Sequence, residues 1–427
     1  MAWIEPPTTV SQRPAIFFAS TLLALCGLAR GMFDVAAQHL ASLSQADVLN
    51  AAFYAPFVLA LVFGFVSSTP KRTAYAGLAF MTLGSGLLIV AAVVKSFSMA
   101  CGFAAITSVG IAALELSANS LIATAPRPAA NLALVNGVGS AARVLGSVVA
   151  SKGVFVRGAF SATNAGYVAM GMAVLSLLLC IPVWGISLPP PKDDNEASDS
   201  SPNKWLPLVA FPVGFLALGA QASLRTHTTQ FLAQSTGSVT SLPAYSAYDL
   251  ALGASAIAAA ATLAAWTYLR KMDACAALAM QAFVAAVFAV LIAVIKRTGG
   301  IVCLYLLYTA QGACFPLFFA VATAGVRNKS VAGGIVVAST SGGAVLPLLQ
   351  RLLGAATTIS KSFPLLVVGF IPLSLYAFVM WIQESKRTGG EMVAWHDEWN
   401  ERPSTTAHQP EWQTLDVELV SRETTRA

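Results

Sequence analysis

The sequence predicts an all-α polytopic membrane protein with about twelve crossings, arranged as two pseudo-symmetric bundles of six helices. Three observations predict it. Of 427 residues, 56% are hydrophobic and only 10% charged, with a mean hydropathy of +0.71. A water-soluble chain of this length could not cover its surface with so few charges. Apolar runs of about twenty residues, enough to cross a bilayer, recur along the chain. A polar stretch, LPPPKDDNEASDSSPNK at 188–204, divides those runs into two sets of six.

The first run starts near Pro14 and is too long for the core of a cleavable leader, so it reads as a membrane helix. It follows a short N-terminus, 1–13. The spacing places the first bundle in 14–187, with helices near 14–40, 47–66, 73–94, 98–123, 129–151 and 163–187. The second, in 205–383, has helices near 206–231, 243–269, 274–295, 301–325, 331–353 and 363–383. The Pro-, Ser- and acid-rich linker between them is expected to be solvated and flexible. The tail, 384–427, is polar and acidic with Trp395, Trp399 and Trp412, and reads as a regulatory or sorting segment. Basic residues such as Lys71, Arg72, Arg270, Lys271, Lys386 and Arg387 outnumber those on the opposite loops when both termini are cytoplasmic. A multi-pass plasma-membrane protein in that orientation is expected. The sequon at Asn328 would then be cytoplasmic and unglycosylated.

Composition also excludes several function classes. The net charge of +6 comes from bases at helix ends rather than from one patch, which suits lipid headgroups and not nucleic acid. The six cysteines all lie in apolar runs without metal-like spacing, where Cys behaves as a small hydrophobe. No NTP-binding loop, metal motif or nucleophile–base pair can be assembled, so no cofactor, no metal site and no enzyme activity are expected.

Chemistry concentrates in residues 107–151, two apolar helices joined by a polar break near 125–130. Glu115 lies well inside the first, with Asn119 one turn on. In the second, Asn136, Ser140, Arg143 and Ser147 share one face by their three- and four-residue spacing. Ionisable groups inside an apolar span are costly and are functional candidates by default. Elsewhere within spans stand Arg30, Asp34, Arg225 and Asp249, so three bases face three acids. Helix rise places Glu115 away from any base, which makes it the better proton carrier, although a static strut is the alternative. Arg30 and Asp34 are four apart and can pair directly. Arg143 either neutralises Asp34 or holds solute. Arg225 and Asp249 are expected to pair as an inter-helix clamp. Asp47 and Asp273 are expected at helix starts, where carboxylates complement the helix dipole. His227 reads as a satisfied polar residue near the outer mouth.

Two motifs resemble the L-fucose permease branch of the major facilitator superfamily. ALELSANS at 113–120 is similar to that branch's fourth-helix signature, and LALVNGVGSAARVLG at 132–146 to its fifth. Weaker similarities are AAFYAPFVLALVFG at 51–64, LGAQ at 218–221 and GACFPLFFAVATAGVRN at 312–328. The resemblance implies a twelve-helix major facilitator fold and proton-coupled monosaccharide uptake. It implies that Asp34 and Glu115 carry the coupling and that Asn136 contacts sugar. The chain departs from the family at Arg30, Gly31 and Phe33, where asparagines precede the first-helix aspartate, and at Phe315, usually Tyr. The eighth-helix Gly-Arg pair is missing from AAATLAAWTYLRK at 259–271.

The expected function is therefore secondary active transport by alternating access, with a small polar solute and protons as partners and a monomer in the bilayer. Glu115 and Asp34 would carry protons. Asn136, Gln221, Arg143, Phe315 and Trp266 would meet solute, and Arg30, Arg225 and Asp249 would form structural ion pairs. An exporter or exchanger of an organic anion or secondary metabolite, and a non-transporting nutrient sensor, are the alternatives.

Overall fold

A computed structural model describes residues 13–39, 43–66, 69–125, 127–156, 159–160, 162–185, 206–236, 247–296, 298–324, 326 and 328–387. The N-terminus, the linker and the tail beyond 387 lie outside the described residues. Among the described residues, eleven helices are long and apolar enough to cross a membrane, and a shorter apolar stretch, Gly166–Ile181, belongs to a twelfth helix. The protein is an integral multi-pass membrane protein. Large apolar side chains such as Phe17, Phe65, Val93, Leu177, Phe283 and Val294 stand exposed on its outside, where lipid rather than water is the natural solvent.

In chain order the helices are α1 (Arg13–His39), α2 (Gln45–Val66), α3 (Pro70–Val94), α4 (Phe97–Ala123), α5 (Pro128–Val149) and α6 (Ala162–Gly185). The second set is α7 (Leu206–Thr236), α8 (Ala247–Tyr268), α9 (Ala274–Val294), α10 (Thr298–Thr323), α11 (Lys329–Ala356) and α12 (Ile359–Lys386). The end at which α1 begins is called lower here, and the end at which it finishes upper.

Side-chain caps start several helices where the sequence changes from polar to apolar. Asp273 accepts from the amides of Cys275 and Ala276 at the head of α9. Thr69, Ser96 and Asn328 do the same for α3, α4 and α11, satisfying amides that the helix leaves free. Asp47 differs from expectation: its helix already starts by Leu43, and its carboxylate pairs with Arg351 instead. Arg127, with φ 52°, makes the left-handed turn between α4 and α5. One feature is not helical. Phe155–Val156 and Ala159–Phe160 pair antiparallel between α5 and α6.

Small residues let the helices touch backbone to backbone. A Cβ on Gly27 or Gly31 of α1 would run into the carbonyl of Gly139 or Arg143 on α5. Gly110 of α4 lies equally close to the backbone of Met81 and Gly77 on α3. Contacts between the two sets run along α5–α8, α2–α11, α10–α5 and α1–α7. They surround the interior that α1, α2, α4, α5, α7, α8, α10 and α11 enclose.

Among the described residues four helices are interrupted: α12 tightens at Phe363–Leu366 near its start, within the apolar core, and the other three interruptions lie in α2, α10 and α11. In α2 the α-helical course changes to a tighter turn at Ala55–Leu59, beside Pro56. In α10 it breaks between Gln311 and Cys314, and in α11 it tightens over Ser339–Ala344 before Pro347. Irregular backbone at membrane depth is tolerated where protein or a cavity receives its polar groups. These last three interruptions face the same interior.

Candidate functional site

Midway between the two sets lies a cavity of about 80 Å3. Arg30 and Gly27 of α1, Tyr54 of α2, Glu115 of α4, and Asn136, Ser140 and Arg143 of α5 form one wall. Gln221 and Arg225 of α7, Thr262 of α8, Phe315 and Pro316 of α10 and Thr340 of α11 form the other. The interruptions supply Tyr54, Phe315 and Thr340, each beside a Pro or Gly that breaks its helix.

The charges are organised across helices. Arg30 Nη2 lies 2.8 Å from Glu115 Oε2, and its guanidinium sits 4.9 Å from the centre of the Phe57 ring. Arg143 grips Asp34 with two bonds, Nε to Oδ2 at 2.6 Å and Nη2 to Oδ1 at 2.8 Å. This corrects two expectations. Arg30 does not pair with Asp34 along α1, and Glu115 is not remote from a base. Cα–Cβ bonds lean toward a helix's own N-terminus. Arg30 therefore leans down from α1 while Glu115 leans up from antiparallel α4, closing the vertical gap that helix rise alone implies.

The Arg225–Asp249 clamp is also corrected. Arg225 lies eleven residues before the end of α7, on the order of 16 Å below it, whereas Asp249 is in the first turn of α8. Asp249 instead approaches Lys152 at 4.0 Å, with the lysine largely exposed and the aspartate half-buried. Arg225 faces the cavity, and among the described residues it forms no ion pair.

Asn136 donates to Asn119 Oδ1 at 2.8 Å, and Asn119 donates in turn to the Glu115 carbonyl at 2.9 Å. The polar face of α5 is thereby tied to the backbone of α4 at Glu115, leaving the Glu115 carboxylate to Arg30. Gln221 and Phe315, expected to meet solute, both line the cavity. Trp266 does not: it lies one turn beyond Thr262, under the Arg270 guanidinium at 3.8 Å. His227 is buried and hydrogen-bonded to the Pro347 carbonyl at 2.9 Å.

Sequence reasoning missed Tyr54, Thr262 and Thr340. The signals were present in Pro56 and in the Gly342-Gly343 pair, which mark broken helices, but neutral side chains draw no attention in an apolar span. No cluster of three or more His, Cys, Asp or Glu able to hold a metal exists among the described residues.

Both ends of the cavity are bridged. At the upper end Asp47 of α2 meets Arg351 of α11, and the Tyr248 hydroxyl of α8 donates to the Ser147 carbonyl of α5 at 3.1 Å. At the lower end Lys329 Nζ of α11 donates to the Ala123 carbonyl of α4 at 3.2 Å. Gly64 and Gly334 also pack α2 against α11 there.

The backbone course superposes on the crystal structure of a major facilitator superfamily transporter, FucP, in an outward conformation. The TM-score is 0.69 at 16% identity, with 86% of this chain and 98% of that one covered. The chain has the major facilitator fold. A human organic anion transporter, MFSD10 (TETRAN), shares this facilitator fold with a TM-score of 0.67 at 15% identity, covering 88% of this chain and all of that one (100%). In sequence, a glucose/galactose transporter of Brucella abortus is 25% identical over 408 residues, spanning 87% of this chain and 96% of its own length. No family model matches the chain.

Proposed function

We propose that this facilitator-fold protein is a secondary active transporter, and not an enzyme, that moves a small polyhydroxylated solute together with protons. The observation that carries the reading is Glu115: an acid on the wall of a cavity shared by both helix sets. Two kinds of relative support it. The Brucella protein named above is a glucose/galactose transporter, and a second solved structure of the same fold is the E. coli fucose:proton symporter.

In this reading the domains are the six-helix bundles 14–187 and 205–383, joined by a cytoplasmic linker. The monomer sits in the plasma membrane with both termini inside. The bundles rock about the central site, exposing it to each side in turn. The cavity is well below the roughly 300–1,000 Å3 of an open small-molecule site, so the walls part to admit solute.

Glu115 and Asp34 play different parts. Arg30 engages one oxygen of Glu115, whereas Arg143 engages both oxygens of Asp34. Releasing Glu115 breaks fewer bonds, so Glu115 is the proton carrier and Asp34 the holder of Arg143. Asn136, Gln221, Ser140 and Thr340 offer hydrogen bonds to hydroxyls, and Phe315 offers an apolar face. Reconstituted protein with an alkaline interior should accumulate at least one labelled hexose or hexose derivative, and a protonophore should abolish it. Binding without flux would point instead to a sensor that kept the fold.

A further inference from the structure

The cavity's charges do not balance, and the imbalance has one address. Arg30, Arg143 and Arg225 all line it, and a guanidinium stays charged at any pH a cell meets. Glu115 is taken by Arg30 and Asp34 by Arg143. Arg225 is left as a cation facing the cavity with no carboxylate of the protein to neutralise it, among the described residues. An unpaired charge away from water is costly unless a counter-charge reaches it.

Neutral groups in the same wall are unsatisfied as well. Gln221 is 5% exposed and Thr340 7% exposed; the Gln221 amide nitrogen and the Thr340 hydroxyl are buried without a hydrogen-bond partner. Gln221 precedes Arg225 by four residues on α7, so the two side chains share one face. The wall thus offers one fixed positive charge beside hydrogen-bonding groups that await oxygen.

We propose that the solute carries a carboxylate seated on Arg225, with its hydroxyls on Gln221 and Thr340: a hydroxylated monocarboxylic acid, such as a sugar acid, rather than a neutral sugar. This rests on the transport reading and specifies its substrate class. It also fixes the charge moved. One proton on Glu115 and one monoanion together carry no net charge, whereas a proton with a neutral sugar carries one positive charge.

The test uses purified full-length protein and three pairs of probes that differ in the acid group: D-galacturonate and D-galactose, D-gluconate and D-sorbitol, D-glycerate and glycerol. Binding is read by the shift in melting temperature with concentration and by isothermal titration. At least one acid is expected to bind about tenfold or more tightly than its neutral twin. Arg225→Gln should erase the difference between twins, and Arg225→Lys should keep part of it; an unchanged elution profile shows that both variants fold. In vesicles, uptake of that acid down a pH gradient should ignore a valinomycin-imposed potential.

If no acid outbinds its twin, or if Arg225→Gln leaves the preference intact, the anion inference is overturned. Galactose uptake that responds to potential, with galacturonate inert, overturns it while leaving the transport reading standing. Tight acid binding with no flux does the reverse: the Arg225 site holds and transport fails.

Discussion

Asp47 on α2 and Arg351 on α11 form an ion pair across the upper end of the cavity, with both side chains mostly buried. It links the first helix set to the second where α2 begins and α11 approaches its end. Breaking it should favour opening at that end. A pair of this partial burial contributes about 1–3 kcal/mol, between exposed and fully buried pairs. Asp47→Asn or Arg351→Gln should speed amide exchange in the upper turns of α2 and α11 by roughly tenfold. The double variant should add little beyond either single one. Unchanged exchange would mean that this contact does not hold the closed form.

Glu115→Gln separates coupling from binding. The amide keeps a carbonyl oxygen for Arg30 but cannot exchange a proton at physiological pH. Accumulation driven by a pH gradient should vanish, while counterflow of pre-loaded solute continues. Accumulation at the wild-type level would remove Glu115 from the mechanism.

Asp34 and Arg143 should behave as one unit. Either Asp34→Ala or Arg143→Ala strands a buried charge and should cost about 3–5 kcal/mol of stability. The double variant should cost less than the sum, with a coupling of about 1–3 kcal/mol. Chemical denaturation in mixed micelles would measure the cycle. Additive losses would show that the two groups do not depend on each other.

Helix contact gives a prediction free of charge chemistry. Gly27→Ala places a methyl against the Gly139 carbonyl and should push α1 from α5, lowering yield and melting temperature. Gly86→Ala in α3 meets nothing within 4 Å and should stabilise by up to about 1 kcal/mol. A reversed order in a thermal melt would contradict the packing described.

Trp266 offers a control. Since its indole packs on Arg270 away from the cavity, Trp266→Phe should leave solute affinity within about twofold. Thr262→Val, on the cavity wall, removes the bond from its hydroxyl to the Gly312 carbonyl (2.8 Å) at the break in α10, and should weaken affinity several-fold by loosening that wall. Isothermal titration of the best-bound probe compares the two.

The helices were legible because membrane crossings announce themselves through length and hydropathy: α4 and α9 begin and end within a residue of the sequence reading. The acids and bases were equally conspicuous, since so few ionisable groups occur inside the spans. Their partners were not. Depth from helix rise ignored that antiparallel neighbours lean toward each other, which joins Arg30 to Glu115. It also took α7 to end near Phe231, when the helix runs on to Thr236 and sets Arg225 below Asp249. Tyr54 and Thr340 escaped because their importance comes from broken backbone, which hydropathy does not register.

Those breaks are unevenly shared. Of the three that reach the cavity, two belong to α10 and α11, while α4 and α5, which carry Glu115, Asn136 and Arg143, run straight past it. A straight rod turns as one piece, whereas an interrupted one can bend at its joint. Glu115 therefore rides on a stiff strut, and the wall opposite it holds two of the joints at which the protein can yield when cargo enters or leaves.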